Sequence, residues 1–216
     1  MLSTESYQMV MSELLNKYPD LSVCSEDFEK VFRKLSETFR TGGKLLVCGN
    51  GGSASDSEHI VGELMKGFMT RRPLSEEQRS LFHSLFPEDG AYLADHLQGA
   101  LPAISLVSHS ALMTAYANDV AADMVFAQQV FGYAKAGDTL LGISTSGNSH
   151  NVIRAMQVAK AMGVTTIGLT GEGGGRLAEI CDVTIRVPWR KTPDIQERHL
   201  PLYHTLCILL EKEFFS

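Results

Sequence analysis

No Cys-x-x-Cys pair occurs among the 216 residues; Cys24, Cys48, Cys181 and Cys207 are widely separated. That spacing offers neither a zinc knuckle nor a dithiol redox centre. Cys48 and Cys207 lie in apolar runs and read as small buried hydrophobes. No apolar run reaches the ~18 residues of a membrane span. The start, MLSTESYQMVMSELL, lacks a basic n-region and an apolar signal core. The expectation is a reduced, soluble, cytoplasmic protein with no membrane partner. Positive charge is also in deficit: 19 Lys and Arg face 25 Asp and Glu, a net charge of −6. Backbone phosphates need a positive surface, so a general nucleic-acid partner is not expected, although a pocket for a small anion can differ from the mean. Two nucleotide signatures are missing. GxGxxG fails at Ala54 despite Gly49, Gly51 and Gly52, and GxxxxGK[ST] occurs nowhere.

What is present is a chain that is 44% apolar and 20% charged, enough for a continuous core in one large domain or one domain with an insertion. Apolar spacings of three and four predict helices over 4–18 and 25–40. KLLVC (44–48) reads as a strand, followed by a helix over 54–68. Further strands are expected at 103–108, 139–144, 164–171 and 181–187, with helices over 110–116, 120–134, 151–163 and 194–215. Asn118-Asp119 interrupts the helical pattern. Strands alternating with helices predict a parallel sheet covered on both faces. Residues 71–101 break this rhythm. Leu81, Leu85 and Phe86 mark one helical stripe and Tyr92, Leu93 and Leu97 another, which predicts a packed helical excursion.

Ligands of such sheets bind beyond the carboxyl ends of the strands. Three loops there are polar: GNGGS (49–53), STSGNS (144–149) and, less specifically, TGEGGG (170–175). In the first, glycine permits close backbone approach to an anion at a helix start. In the second, Ser144, Thr145, Ser146 and Ser149 put four hydroxyls around one turn, enough to surround a phosphoryl group without lysine. Each loop also reads as a simple turn with a helix cap. Asn50, Asn118 and Asp119 suit a polyol. His59 and Glu63, four apart on one helix face, suit a shared metal, proton exchange or a plain surface pair. In the last helix Gln196 and His204 face similarly, His199 competes for that face, and Pro201 removes one backbone donor. Spacing alone does not bring Glu63 to His204.

The run CGNGGSASDSEHIVGEL, then AND, LLGISTSGNSHNVIRAM, IRVP and IQERHLPLYH, resembles the phosphoheptose isomerases, single-domain members of the sugar isomerase (SIS) superfamily. The likeness covers about residues 25–70 and 103–213. It implies a three-layer α/β fold of flavodoxin-like type with a five-stranded parallel sheet. It also implies a homotetramer with sites near subunit interfaces. By motif, Ser53, Ser144, Thr145, Ser146 and Ser149 match phosphate-holding positions. Asn50, Gly51, Gly52, Asn118, Asp119, Glu63 and Gln196 match substrate-binding ones. The likeness further implies a zinc set of His59, Glu63, Gln196 and His204, with Glu63 and His204 as the acid/base pair. The reaction implied is sedoheptulose 7-phosphate to D-glycero-D-manno-heptose 7-phosphate. The alternatives are isomerisation of another sugar phosphate, or a non-catalytic relative that associates with a replication initiator. That branch lacks the glutamate and the final histidine, both present here. The chain departs from the family in the length of 71–101 and in Asp194, where arginine is common.

Overall fold

The computed structural model describes residues 2–215. Helix α1 (Thr4–Lys17) is capped by the Ser3 side chain. A 3₁₀ turn (Pro19–Cys24) leads into α2 (Ser25–Arg40). Then follow β1 (Leu45–Gly49), α3 (Gly52–Met65), α4 (Glu76–Leu85), α5 (Gly90–His96), β2 (Ala103–Ser105) and α6 (Ser110–Tyr116). A π-helical turn (Ala117–Ala121) and a 3₁₀ turn (Ala122–Met124) precede α7 (Val125–Tyr133). The chain ends with β3 (Thr139–Ile143), α8 (His150–Ala161), β4 (Thr165–Thr170), α9 (Gly175–Ile180), β5 (Val183–Arg186) and α10 (Thr192–Phe215).

All five strands are parallel, in the order β2-β1-β3-β4-β5. Alternate residues leave opposite faces of a strand, and the two cores divide accordingly. Leu45, Val47, Leu141 and Ile143 join the layer of α1, α2, α3 and α10. Leu46, Cys48 and Leu140 join the layer of α7, α8 and α9. The three layers and the five-stranded sheet match the fold the sequence implies. Strand β1 pairs with β3 on one side and β2 on the other, so the winding reverses at β1. In an open sheet of this order the crevice at that reversal is where ligands lie. The GNGGS and STSGNS loops leave the carboxyl ends of β1 and β3, on either side of it.

Three local readings need correction. The short α9 follows a glycine-rich turn and buries only Leu177, so it carries too little periodicity to be seen in sequence. The residues expected to open α7 form the π and 3₁₀ turns instead. In 71–101 the two helices exist, but within one chain the marked stripes face out. Leu81, Leu85, Phe86, Tyr92 and Leu97 are exposed, while Ala94 is buried. Two short helices hung beside a three-layer core bury one side only.

Candidate active site

Helices α3 and α10 lie side by side and run parallel. Gly52, at the start of α3, faces Gln196 so closely that a β-carbon there would sit 2.5 Å from Gln196 Nε2. Further along, the Tyr203 hydroxyl donates to Asp56 Oδ1 at 3.1 Å and lies 3.0 Å from His59 Nδ1. His204 Nε2 is 3.4 Å from His59 Nε2, and Glu63 Oε1 is 3.3 Å from the same nitrogen. Gly52, Asp56, His59 and Glu63 are spaced four, three and four apart, one stripe of a helix. The stripe and the partner helix therefore gather His59, Glu63 and His204 within a single chain.

The hydrogen bonds orient the His59 ring. Tyr203 spends its proton on Asp56 and presents its oxygen to Nδ1. His59 Nε2 lies between Glu63 Oε1 and His204 Nε2. A ring nitrogen between a carboxylate and a second imidazole suits a shared proton or a cation. Glu63 Oε2 accepts from Lys66 Nζ at 2.6 Å. Burial pushes the His204 imidazole below its ordinary pKa, as does the neighbouring His59, while Glu63 opposes them. Burial raises the Asp56 carboxyl, against the Tyr203 hydrogen bond. Among the described residues no group of three His, Cys, Asp or Glu side chains is already arrayed around a common metal position. Gln196 stands apart from the trio, about 12 Å of helical rise from His204.

The loops lie at the other end of the α3/α10 pair, beside Gln196 and Ile195. Gly51, with φ 56°, turns β1 into α3 without a capping side chain. Asn50 and Asn151 exchange paired amide bonds of 2.9 Å, tying the first loop to the start of α8. Ser144 Oγ meets Ser149 Oγ at 2.9 Å. Ser149 occupies the N-cap of α8 but makes no capping bond. The simple-cap reading of STSGNS therefore does not apply to this hydroxyl. Ser146 Oγ accepts from the Asn148 N–H at 3.1 Å. Thr145 and Ser146 open on a cavity also lined by Gly171, Glu172, Trp189 and Arg190. Ser53 is buried behind the first loop. Asn118 and Asp119 pair with one another at 2.8 Å on the π-helical turn. That turn precedes Asp123, which lines the cleft beside Asn50 and Ser149.

His199 does not compete for the α3-facing side. It is fully buried, with neither ring nitrogen paired among the described residues. Asp194 lies half-buried in the first turn of α10. The sequence reading missed Asp56, Tyr203, Lys66 and Asn151. Asp56 alone had a visible signal, its place three residues before His59 on the same stripe.

The SIS-domain family model matches residues 7–98 and 86–171. The phosphoheptose isomerase of Pelobacter propionicus is 43% identical over 183 residues, covering 85% of this chain and 83% of that protein. That of Rhodospirillum rubrum is 38% identical over 196 residues, covering 91% and 90%. Among solved structures, the phosphoheptose isomerase of Neisseria gonorrhoeae superposes with a TM-score of 0.72 at 31% identity, covering 96% of this chain and 97% of that one. The enzyme of Francisella tularensis gives 0.74 at 28%, covering 97% and 98%. The chain belongs to the phosphoheptose isomerase family of SIS-domain proteins.

Proposed function

We propose that this chain interconverts sedoheptulose 7-phosphate and D-glycero-D-manno-heptose 7-phosphate through a cis-enediol. The observation that carries the reading is the gathering of Glu63, His59 and His204 on the α3/α10 pair, whose other end opens at the hydroxyl-rich loops. From Gly52 to His59 the helix rises about 10 Å, the length scale of an extended seven-carbon sugar phosphate. Ser53, Ser144, Thr145, Ser146 and Ser149 anchor the phosphate. Asn50, Gly51, Gly52, Asn118, Asp119 and Gln196 hold the polyol.

Glu63 removes the C1 proton of the ketose and returns it at C2. His204 carries protons between the two oxygens; a depressed imidazole pKa keeps it neutral and able to accept. Asp56 and Tyr203 orient His59 through its Nδ1. Loop anchoring keeps C1 and C2 beside the base, so positioning supplies much of the rate. Zinc is the proposed cofactor, with His59, Glu63, Gln196 and His204 as donors. The donor types suit it, and the placing of His59 Nε2 at 3.3 Å from Glu63 Oε1 and 3.4 Å from His204 Nε2 supports it. When bound it would polarise the sugar oxygens. For all four to hold one ion, Gln196 would have to leave Gly52 or come from a neighbouring copy, in keeping with a proposed homotetramer with interfacial sites. No helix among the described residues is long and apolar enough to cross a membrane, and a cytoplasmic step in surface-glycan heptose synthesis fits this reading. We place the two helices of 71–101 outside the chemistry, as a helical insertion in a single SIS domain that tunes sugar choice or assembly.

Calorimetry with the seven-carbon ketose phosphate and its dephosphorylated form tests the anchor, and proton exchange in deuterated water tests the reaction. Binding at least tenfold tighter for the phosphate, with deuterium entering the sugar, is expected. Equal affinity for the two forms, or no exchange by metal-loaded protein, overturns the reading.

A further inference from the structure

Beyond the trio, the α3/α10 pair is closed by a buried ion pair that the proton-transfer scheme leaves unused. The side chains of Arg72 and Glu211 are 0% and 2% exposed, with Arg72 Nε donating to Glu211 Oε1 at 2.9 Å. The rest of the guanidinium is spent on the end of α3. Nη1 donates to the Leu64 carbonyl at 2.7 Å and Nη2 to the Glu63 carbonyl at 3.1 Å. Carbonyls in the last turn of a helix have no partner within it, so the fork caps the turn that carries the proposed base. Glu211 accepts the N–H groups of Phe68 at 2.8 Å, Met69 at 2.9 Å and Thr70 at 3.1 Å. Burial alone would raise the Glu211 pKa; the Phe68 and Met69 amides and Arg72 together hold it below the usual carboxylate range. Glu211 lies two turns beyond His204 on the same side of α10.

We propose that the Arg72–Glu211 pair is a positioning device that sets Glu63 against His204, by locking the last turn of α3 to α10. The inference rests on the isomerase reading given above. A planar fork fixes two carbonyls and one carboxylate at once, which the point charge of lysine does not reproduce. The competing role is a mere anchor for 71–101. The Arg72 carbonyl accepts from the Gly99 N–H at 2.7 Å, and the guanidinium lies 4.6 Å from the Phe215 ring centre. A mere anchor predicts lower stability without a change in the turnover of the folded enzyme.

The test compares wild type with Arg72→Lys, Glu211→Gln and the double variant Arg72→Met/Glu211→Leu. A buried ion pair replaced by apolar residues of similar volume is often tolerated; if the double variant fails to fold, the two single variants carry the test. For the phosphorylated ketose, kcat is expected to fall at least tenfold in folded protein, with KM within about twofold. Loss of melting temperature with wild-type kcat in every folded variant overturns the proposal. If wild type exchanges no proton with any phosphorylated ketose, the isomerase reading falls. The device is then judged from crystal structures of wild type and Arg72→Lys. A shift of Glu63 relative to His204 of about 1 Å supports it, and an unchanged pair overturns it.

Discussion

Glu63 has one oxygen against Lys66 and the other against His59, so its charge is engaged on both sides. Replacing Glu63 by glutamine keeps the shape and removes the basic oxygen. In Glu63→Gln, deuterium incorporation and product formation should fall by at least 10³-fold, while calorimetry still detects the sugar phosphate. Wild-type turnover would remove Glu63 from the base role. The pairing of Glu63 with a histidine four residues before it was legible from helical spacing. The identity of its third neighbour was not, because His204 is distant in sequence and reaches His59 only through the parallel packing of α10 on α3. Asp56 and Tyr203 show the same division. Helical spacing puts Asp56 on the stripe of His59, but only the fold brings Tyr203 to both and joins them in one hydrogen-bonded chain.

At the scale of elements, the second loop depends on a glycine contact. Gly147 has φ +68°, and a β-carbon on it would lie 1.9 Å from the Gly174 carbonyl oxygen. The Leu177 N–H donates to the Gly147 carbonyl at 3.0 Å, which fastens the STSGNS turn to the start of α9. In Gly147→Ala the left-handed backbone alone costs about 1–2 kcal/mol, and the clash forces the loop away from Gly174. Affinity for the phosphorylated sugar should drop at least tenfold by calorimetry; unchanged affinity would detach this loop from phosphate binding. The 71–101 segment makes the opposite case. His83 and His96 are exposed, and the His96 ring stacks on Tyr92 at 3.9 Å between centres. The double variant His83→Gln/His96→Gln should keep proton exchange within about twofold of wild type, as surface changes usually do. Loss of exchange in folded, ligand-binding protein would bring the segment into the chemistry. Its helices were readable from periodicity, but their orientation was not. A period locates an apolar stripe without saying whether the same chain has anything left to cover it.

For the molecule as a whole, the most consequential buried titratable group is His199. It sits at 0% exposure, and burial pushes its imidazole down to about 4 from 6.5. The folded state therefore holds His199 neutral, whereas the unfolded chain takes up a proton below pH 6.5. The stabilising difference is fully present above 6.5 and is lost as pH falls toward 4. The full loss is about 3 kcal/mol. Urea unfolding across that window should show stability declining toward acid, and His199→Leu should flatten part of the decline. Equal slopes for the two proteins would show that His199 is not the group responsible. Spacing placed this residue on the face of Gln196. The three-residue offset instead turns it into the core, where its ring nitrogens find no partner among the described residues.

The alternation of strands and helices, the parallel sheet and the two polar loops follow from the local pattern of the chain. These depend on local periodicity and on residue types that are costly to place elsewhere. That pattern also carries the family likeness, because the motifs are contiguous runs. Tertiary structure alone decided that β1 lies between β2 and β3, which puts GNGGS and STSGNS on one crevice. It alone decided that α3 and α10 run parallel, which joins His59 to His204 and Arg72 to Glu211. Strand order and helix pairing are long-range choices set by burial on two sheet faces. No local pattern encodes which distant segment will supply the covering surface.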